Sequence, residues 1–132
     1  MKLLADTSAL LALAWRDDRN HQAAVGFVRA HPQARFLLTE LILSEVATRL
    51  RARSSADRAA SVVDSLLESR RYELVLVELD VLRGAVERMR RFRDKRLSLA
   101  DCASFEVMER VGVEVAFTFD RDFRDCGFRM MP

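Results

Sequence analysis

Glycine and proline are scarce, with four and two in 132 residues. That excludes a linker-rich, collagen-like or disordered chain. Histidine occurs only at His21 and His31, both in or beside one helical stretch, and lysine only at Lys2 and Lys95. Metal-free hydrolysis by paired His or Lys acting as acid and base is therefore poorly supplied. The two cysteines, Cys102 and Cys126, have no histidine near them in sequence. They make neither a zinc site nor a disulfide framework, and both read as core or near-surface thiols. No apolar run reaches the roughly 18 residues of a membrane span. The opening Met1-Lys2-Leu3-Leu4-Ala5 meets Asp6 too soon for a signal peptide, so the expected compartment is the cytosol, with no membrane partner.

What is present is an ordinary globular composition, 50% apolar and 32% charged. The length fits one domain over residues 1–132. The net charge of +2 says little, but its distribution says more. Residues 46–96 hold thirteen basic and eight acidic side chains, whereas residues 97–132 hold four and seven. The basic residues are almost all arginine, whose planar fork suits phosphate better than a lysine ammonium.

Apolar spacing gives a chain of alternating elements. Lys2–Ala5 reads as a buried strand, Ser8–Trp15 and Asn20–His31 as helices, and Phe36–Leu38 as a second strand. Thr39 is placed to cap a helix over Glu40–Arg53, and another helix runs over Ala56–Arg70. Tyr72–Val77 reads as a strand. Asp80–Arg93 reads as a helix that turns Val81, Ala85, Met89 and Phe92 inward. Ser98 opens a helix that Gly112 ends after Val111. Val113–Phe119 is the next strand, and Phe128–Met131 a last one. Such alternation predicts an α/β fold with a mainly parallel sheet and helices on both faces.

Four acids stand out against this pattern. Asp6 and Asp120 follow strands directly, which places them at the edge where open parallel sheets bind ligands. Each also fits as the cap of a following helix or turn. Asp101 lies three residues after Ser98, the spacing of a capping box. Glu45 sits on the apolar side of its helix beside Leu41, Ile42 and Val46, where an acid is costly unless paired or metal-bound. Its alternative is an ion pair with Arg49, one turn on. Clustered, the four would repel one another and hold their protons more tightly. A divalent cation relieves that repulsion, and an all-carboxylate set suits Mg²⁺ or Mn²⁺.

These residues fall in segments that resemble the PIN-domain ribonucleases, and among them the VapC-type toxins of prokaryotic toxin–antitoxin pairs. Leu4-Ala5-Asp6-Thr7-Ser8-Ala9-Leu10 looks like the first acidic motif, and Thr39-Glu40-Leu41-Ile42-Leu43-Ser44-Glu45 like the second. Leu97-Ser98-Leu99-Ala100-Asp101-Cys102 looks like the third. Thr118-Phe119-Asp120-Arg121-Asp122-Phe123, followed by Gly127-Phe128, looks like the fourth. The resemblance implies a three-layer α/β/α sandwich, Mg²⁺ or Mn²⁺ on the acids, endonucleolytic cutting of RNA, a homodimer and a protein antitoxin. It departs at Ala100, where the family often carries a Thr whose hydroxyl could orient the acid. Asp122 is an additional candidate ligand, since on an extended segment it could face the same side as Asp120. Thr7 and Ser8 are candidates for holding Asp6 or a phosphate, with helix capping as their alternative.

On this reading Asp6, Glu45, Asp101 and Asp120 form the metal-binding catalytic set. The arginine-rich run from Arg83 to Arg96 leads into Ser98 and Asp101, so Arg90, Arg91, Arg93 and Arg96 are the expected RNA contacts. The alternative track is Arg49, Arg51 and Arg53, and a charge run can also be plain solvated surface. The apolar stripes between Glu40 and Arg70 are candidates for core or for binding a second subunit and the antitoxin. Two other functions compete. A phosphoacceptor domain would want an acceptor Asp after a middle strand and a late Lys, but Val75-Leu76-Val77 leads to Glu78 and no lysine follows Lys95. A non-catalytic RNA- or protein-binding module on the same fold is the second.

Overall fold

The computed structural model describes all 132 residues. Five strands, β1 (Lys2–Ala5), β2 (Arg35–Thr39), β3 (Tyr72–Val75), β4 (Val115–Phe117) and β5 (Arg129–Met131), form one sheet in the order β3-β2-β1-β4-β5. Every pairing is parallel. Around it run α1 (Thr7–Ala14), α2 (His21–Ala30), α3 (Glu40–Arg53), α4 (Ala56–Glu68), α5 (Leu79–Arg91), α6 (Leu99–Val111) and the single turn α7 (Asp122–Asp125). This is the expected α/β class.

The central strands are apolar on both faces because helices cover both. Leu3, Leu4, Phe36, Leu37 and Phe117 are fully buried, as in parallel sheets generally. The chain builds outward from β1 to β2 and β3, then returns to place β4 on the other side of β1. Right-handed crossovers put the helices of the two halves on opposite faces. The direction reverses between β1 and β4, and that reversal opens a crevice at the carboxyl ends of those two strands.

Helix limits follow their caps. Thr39 Oγ1 accepts from Ile42 N at 3.2 Å and starts α3 at Glu40. Gly112 takes φ 73°, the left-handed conformation that closes α6. Elsewhere the expected elements shift. The seven-residue strand over Val113–Phe119 pairs only at Val115–Phe117. Val113 N closes α6 by donating to Met108 O, and Phe119 N turns to Ser8 Oγ. Asp122 is not on an extended segment; it begins α7. On α5 the inward position expected for Met89 belongs to Arg88, which is 4% exposed while Met89 is 39% exposed. Arg88 is held by Glu106 and Glu109 of α6, and Glu106 also takes Arg110. No helix is long and apolar enough to cross a membrane. Both cysteines are free, with Cys102 buried and Cys126 half-buried.

Candidate active site

Asp6 leaves β1 still in register with β4, its N–H donating to Phe117 O at 3.0 Å. It caps α1 by accepting from Ser8 N at 3.3 Å. The same carboxylate oxygen, Oδ2, also accepts from Ser8 Oγ at 2.8 Å and Thr118 Oγ1 at 2.9 Å. Oδ1 takes none of these bonds. The residue is 4% exposed, and burial pushes its carboxyl above the usual range despite the donors. Capping and site-building are thus one arrangement here.

The other acids repeat the pattern. Glu45, in the second turn of α3, accepts from Thr7 Oγ1 through Oε2 at 2.8 Å. It makes no ion pair with Arg49. Asp101 closes a capping box on α6: its N–H donates to Ser98 Oγ at 3.0 Å, and its Oδ2 accepts from Ser98 N at 2.9 Å. Ser98 thereby orients Asp101, with no hydroxyl at position 100. Asp120 Oδ1 accepts from Asp122 N at 2.9 Å, and Asp120 N donates to Thr118 Oγ1 at 3.0 Å. In each of the four, one oxygen is fastened by the protein while the other has no hydrogen-bond partner. No fully buried side-chain oxygen lacks a partner, so each of the free oxygens keeps some contact with solvent.

These side chains meet around a cavity of about 220 Å³ with no apolar residue in its lining: Asp6, Thr7, Ser8, Glu45, Arg49, Arg96, Ser98, Asp101, Asp120 and Asp122. All four expected acids, the additional Asp122, and both Thr7 and Ser8 are therefore brought together. Burial, with Asp6 and Glu45 close by, raises the Asp101 carboxyl to about 6. Burial and neighbouring Asp120 push Asp122 up as well. The crowding of like charge is real, and the donors are all hard oxygens, which fits a divalent cation of the Mg²⁺ or Mn²⁺ kind. No three of the acids are set to grip one ion with the side chains as they stand. A bound ion would draw the open oxygens inward.

Of the four arginines expected to meet RNA, only Arg96 borders this cavity. Arg90 pairs with Glu87 and lies in a separate depression with Leu79 and Leu82. Arg91 is exposed beside Phe92, and Arg93 donates to Arg90 O. Arg90 and Arg91 lie in the last turn of α5 and Arg93 in the turn that follows, and none of the three borders the cavity. Arg49 takes a place at the rim that the charge run seemed to offer. Thr118 is the contributor that sequence reasoning passed over. Its only signal is a hydroxyl at the end of a strand, two residues before an acid.

Comparison with known proteins agrees with this fold. VapC20 of Mycobacterium tuberculosis, described as a 23S rRNA-specific endonuclease, is 29% identical over 126 residues, covering 96% of this chain and 95% of the relative, in each of two strains. The crystal structure of VapC20, described as a sarcin-ricin-loop-cleaving toxin, superposes with a TM-score of 0.87 at 27% identity over 96% of this chain and 95% of that one. A structure of VapBC2 from Rickettsia felis bound to a promoter DNA fragment shares the fold, with a TM-score of 0.72 at 10% identity over 98% and 97% of the two chains. The PIN domain family model matches residues 3–129, and the chain belongs to that family.

Proposed function

We propose that the chain is a Mg²⁺- or Mn²⁺-dependent endoribonuclease and the toxin of a type II toxin–antitoxin pair, acting in the cytosol. The observation that carries this reading is the cavity itself. Five carboxylates from four separate segments line a pocket without one apolar residue, with Arg49 and Arg96 beside them. Acids alone would repel a polyanion, and the two guanidiniums supply the local positive field that admits a phosphate.

Asp6 and Asp101 are the central metal ligands in this proposal, with Glu45 and Asp120 completing the set and Asp122 beside them. When bound, the ion polarises a phosphate oxygen and makes water a competent nucleophile at neutral pH. The protein's share is placement. Ser8 and Thr118 lock Asp6 so that its other oxygen is presented, Thr7 does the same for Glu45, and Ser98 for Asp101. Arg49 and Arg96 hold the phosphodiester against the acids.

The toxin reading draws on VapC20 and on the family resemblance, which also supports a homodimer and an antitoxin protein. Leu67, Leu74, Leu76 and Leu79 remain well exposed, and such apolar surface suits protein partners. The deciding experiment incubates purified protein with total RNA, with and without Mn²⁺, and maps the cut ends. Metal-dependent cuts at defined positions are expected. Intact RNA at all metal concentrations would remove the nuclease reading.

A further inference from the structure

The carboxylate cavity has nothing to receive a base. A second depression beside it does. This groove of about 580 Å³ shares Ser8, Arg49 and Asp120 with the cavity, so the two are one continuous surface. Its volume lies within the range of small-ligand clefts. The Asp18-Arg19-Asn20 turn between α1 and α2, Arg49 and Arg53 of α3, and Phe119 and Arg121 from the segment after β4 all border it.

Its guanidiniums are free. Arg19, Arg49, Arg53 and Arg121 make no ion pair, although Asp18 and Asp120 border the same groove. Arg53 is steadied only by the Trp15 ring, at 6.0 Å. The Asn20 amide is free too. It stands at the start of α2, yet its side chain makes no capping bond. Asp18 braces the turn instead, accepting from Asn20 N at 2.8 Å through Oδ1. Phe119 is half-buried, edge-on to Phe117, and its backbone N–H donates to Ser8 Oγ at 3.0 Å. Through Ser8 the Phe119 backbone is thus tied to the carboxylate of Asp6.

We propose that this groove seats an unpaired nucleotide of the RNA next to the bond that is cut, an inference that rests on the nuclease reading. The base stacks on Phe119, its edge is read by the Asn20 amide, and the flanking phosphates lie on Arg53 and Arg121. The strand then passes Ser8 and Asp120 into the carboxylate cavity. Unpaired bases splayed onto aromatic rings are how proteins read RNA sequence. Arg90 and Arg91, which do not border the groove, are bystanders.

The test titrates short unstructured fluorescent RNAs, differing at single positions, into metal-free protein over a range of salt. Arg53→Ala with Arg121→Ala should weaken binding about tenfold or more and lower the log–log salt slope by about 1.4, at roughly 0.7 per phosphate contact. Arg53→Lys with Arg121→Lys should keep the slope; it also shows that the pair of positions tolerates change. Asn20→Ala should reduce discrimination between bases about tenfold. Arg90→Ala with Arg91→Ala should stay within about twofold of wild type. Arg49 is left alone because it also borders the acids. If the Arg90/Arg91 pair carries the salt slope and the Arg53/Arg121 pair does not, the groove assignment is wrong. Wild-type cleavage with Mn²⁺ is measured in parallel. Groove-dependent binding without cleavage supports the groove and removes the nuclease reading. Cleavage with binding indifferent to Arg53 and Arg121 does the reverse.

Discussion

Two clusters of acids in this molecule meet opposite fates. Between α5 and α6, Glu106 receives Arg88 and Arg110, and Asp80 receives Arg110. At the carboxyl edge of the sheet, Asp6, Glu45, Asp101, Asp120 and Asp122 face one another with no ion pair to any of them. The carboxyls respond accordingly. Arginine partners hold Glu106 below its usual range despite burial, while burial pushes Asp6 above its range and burial with neighbouring Asp6 and Glu45 pushes Asp101 above its own. Both clusters consist of ordinary acids on ordinary elements. What separates a structural clamp from a candidate reaction centre is whether the protein supplies the counter-charge or leaves it to a ligand.

The sharpest way to test that contrast is to remove a charge from the uncompensated cluster. Asp6→Asn keeps the shape of the side chain, and cleavage should fall by on the order of 10²–10³-fold, the scale of losing one electrostatic contributor in an active site. Mn²⁺ affinity, read by calorimetry, should fall with it. Equal affinity in both proteins would end the claim that Asp6 is a ligand.

Removing a charge from the compensated cluster should instead unfold the protein more easily. Arg88→Ala leaves Glu106 with Arg110 alone, and removing one partner of a buried pair costs up to about 3 kcal/mol when the other charge is only partly compensated. Urea unfolding measures this, and Mn²⁺ affinity should not change. A drop in metal affinity with stability intact would put the clamp in the wrong category.

Asp101→Asn should separate the two clusters by sign. A carboxyl held near 6 in the fold but near its ordinary 3.8 when unfolded binds its proton more tightly in the fold. Its contribution to stability is complete below about pH 4 and is lost as pH rises through about 6, a change of about 3 kcal/mol at most. The metal-free wild type should therefore lose stability over that window. The Asn variant, which can still accept from Ser98 N, should not, and at pH 7.5 it should melt higher than wild type without metal. Saturating Mn²⁺ should reverse that order. If the variant melts lower without metal, Asp101 serves chiefly as a cap.

The smallest effect concerns Gly84. A Cβ there would lie 2.6 Å from Glu106 Cδ and Oε2, atoms that Arg88 and Arg110 hold in place. Gly84→Ala gains helix propensity of roughly 1 kcal/mol yet should be a net loss of about 1 kcal/mol, because crowding a packed site costs more. In a background with both Arg88→Ala and Arg110→Ala, with Glu106 released, the same change should turn neutral or stabilising.

The elements that were legible in the sequence are those with chemical end-markers. Thr39 fixed the start at Glu40, and Ser98 and Gly112 fixed both ends of Leu99–Val111. Asp122–Asp125 went unread as a helix because four residues hold no periodicity. Hydropathy put Met89 inside, whereas an arginine with two acids eighteen and twenty-one residues away can be buried more cheaply than its type suggests. The four acids were legible from position and resemblance together. Their convergence was not, since it depends on β4 lying beside β1, and strand order is a property of the assembled sheet. The arginine run shows the same limit: counting charges along a chain cannot tell a guanidinium already matched, such as Arg88, from one without an ion pair, such as Arg53.

Strand order also sets when the cavity first exists. The strands β1, β2 and β3 can assemble from the first 75 residues, but they supply only Asp6 and Glu45. Asp101 and Asp120 arrive with α6 and β4, which must dock on the free edge of β1. During synthesis the chain emerges from its amino end and folds in that order. A growing chain on the ribosome therefore lacks Asp101, Asp120 and Asp122, and with them most of the carboxylate lining, until its last quarter has emerged.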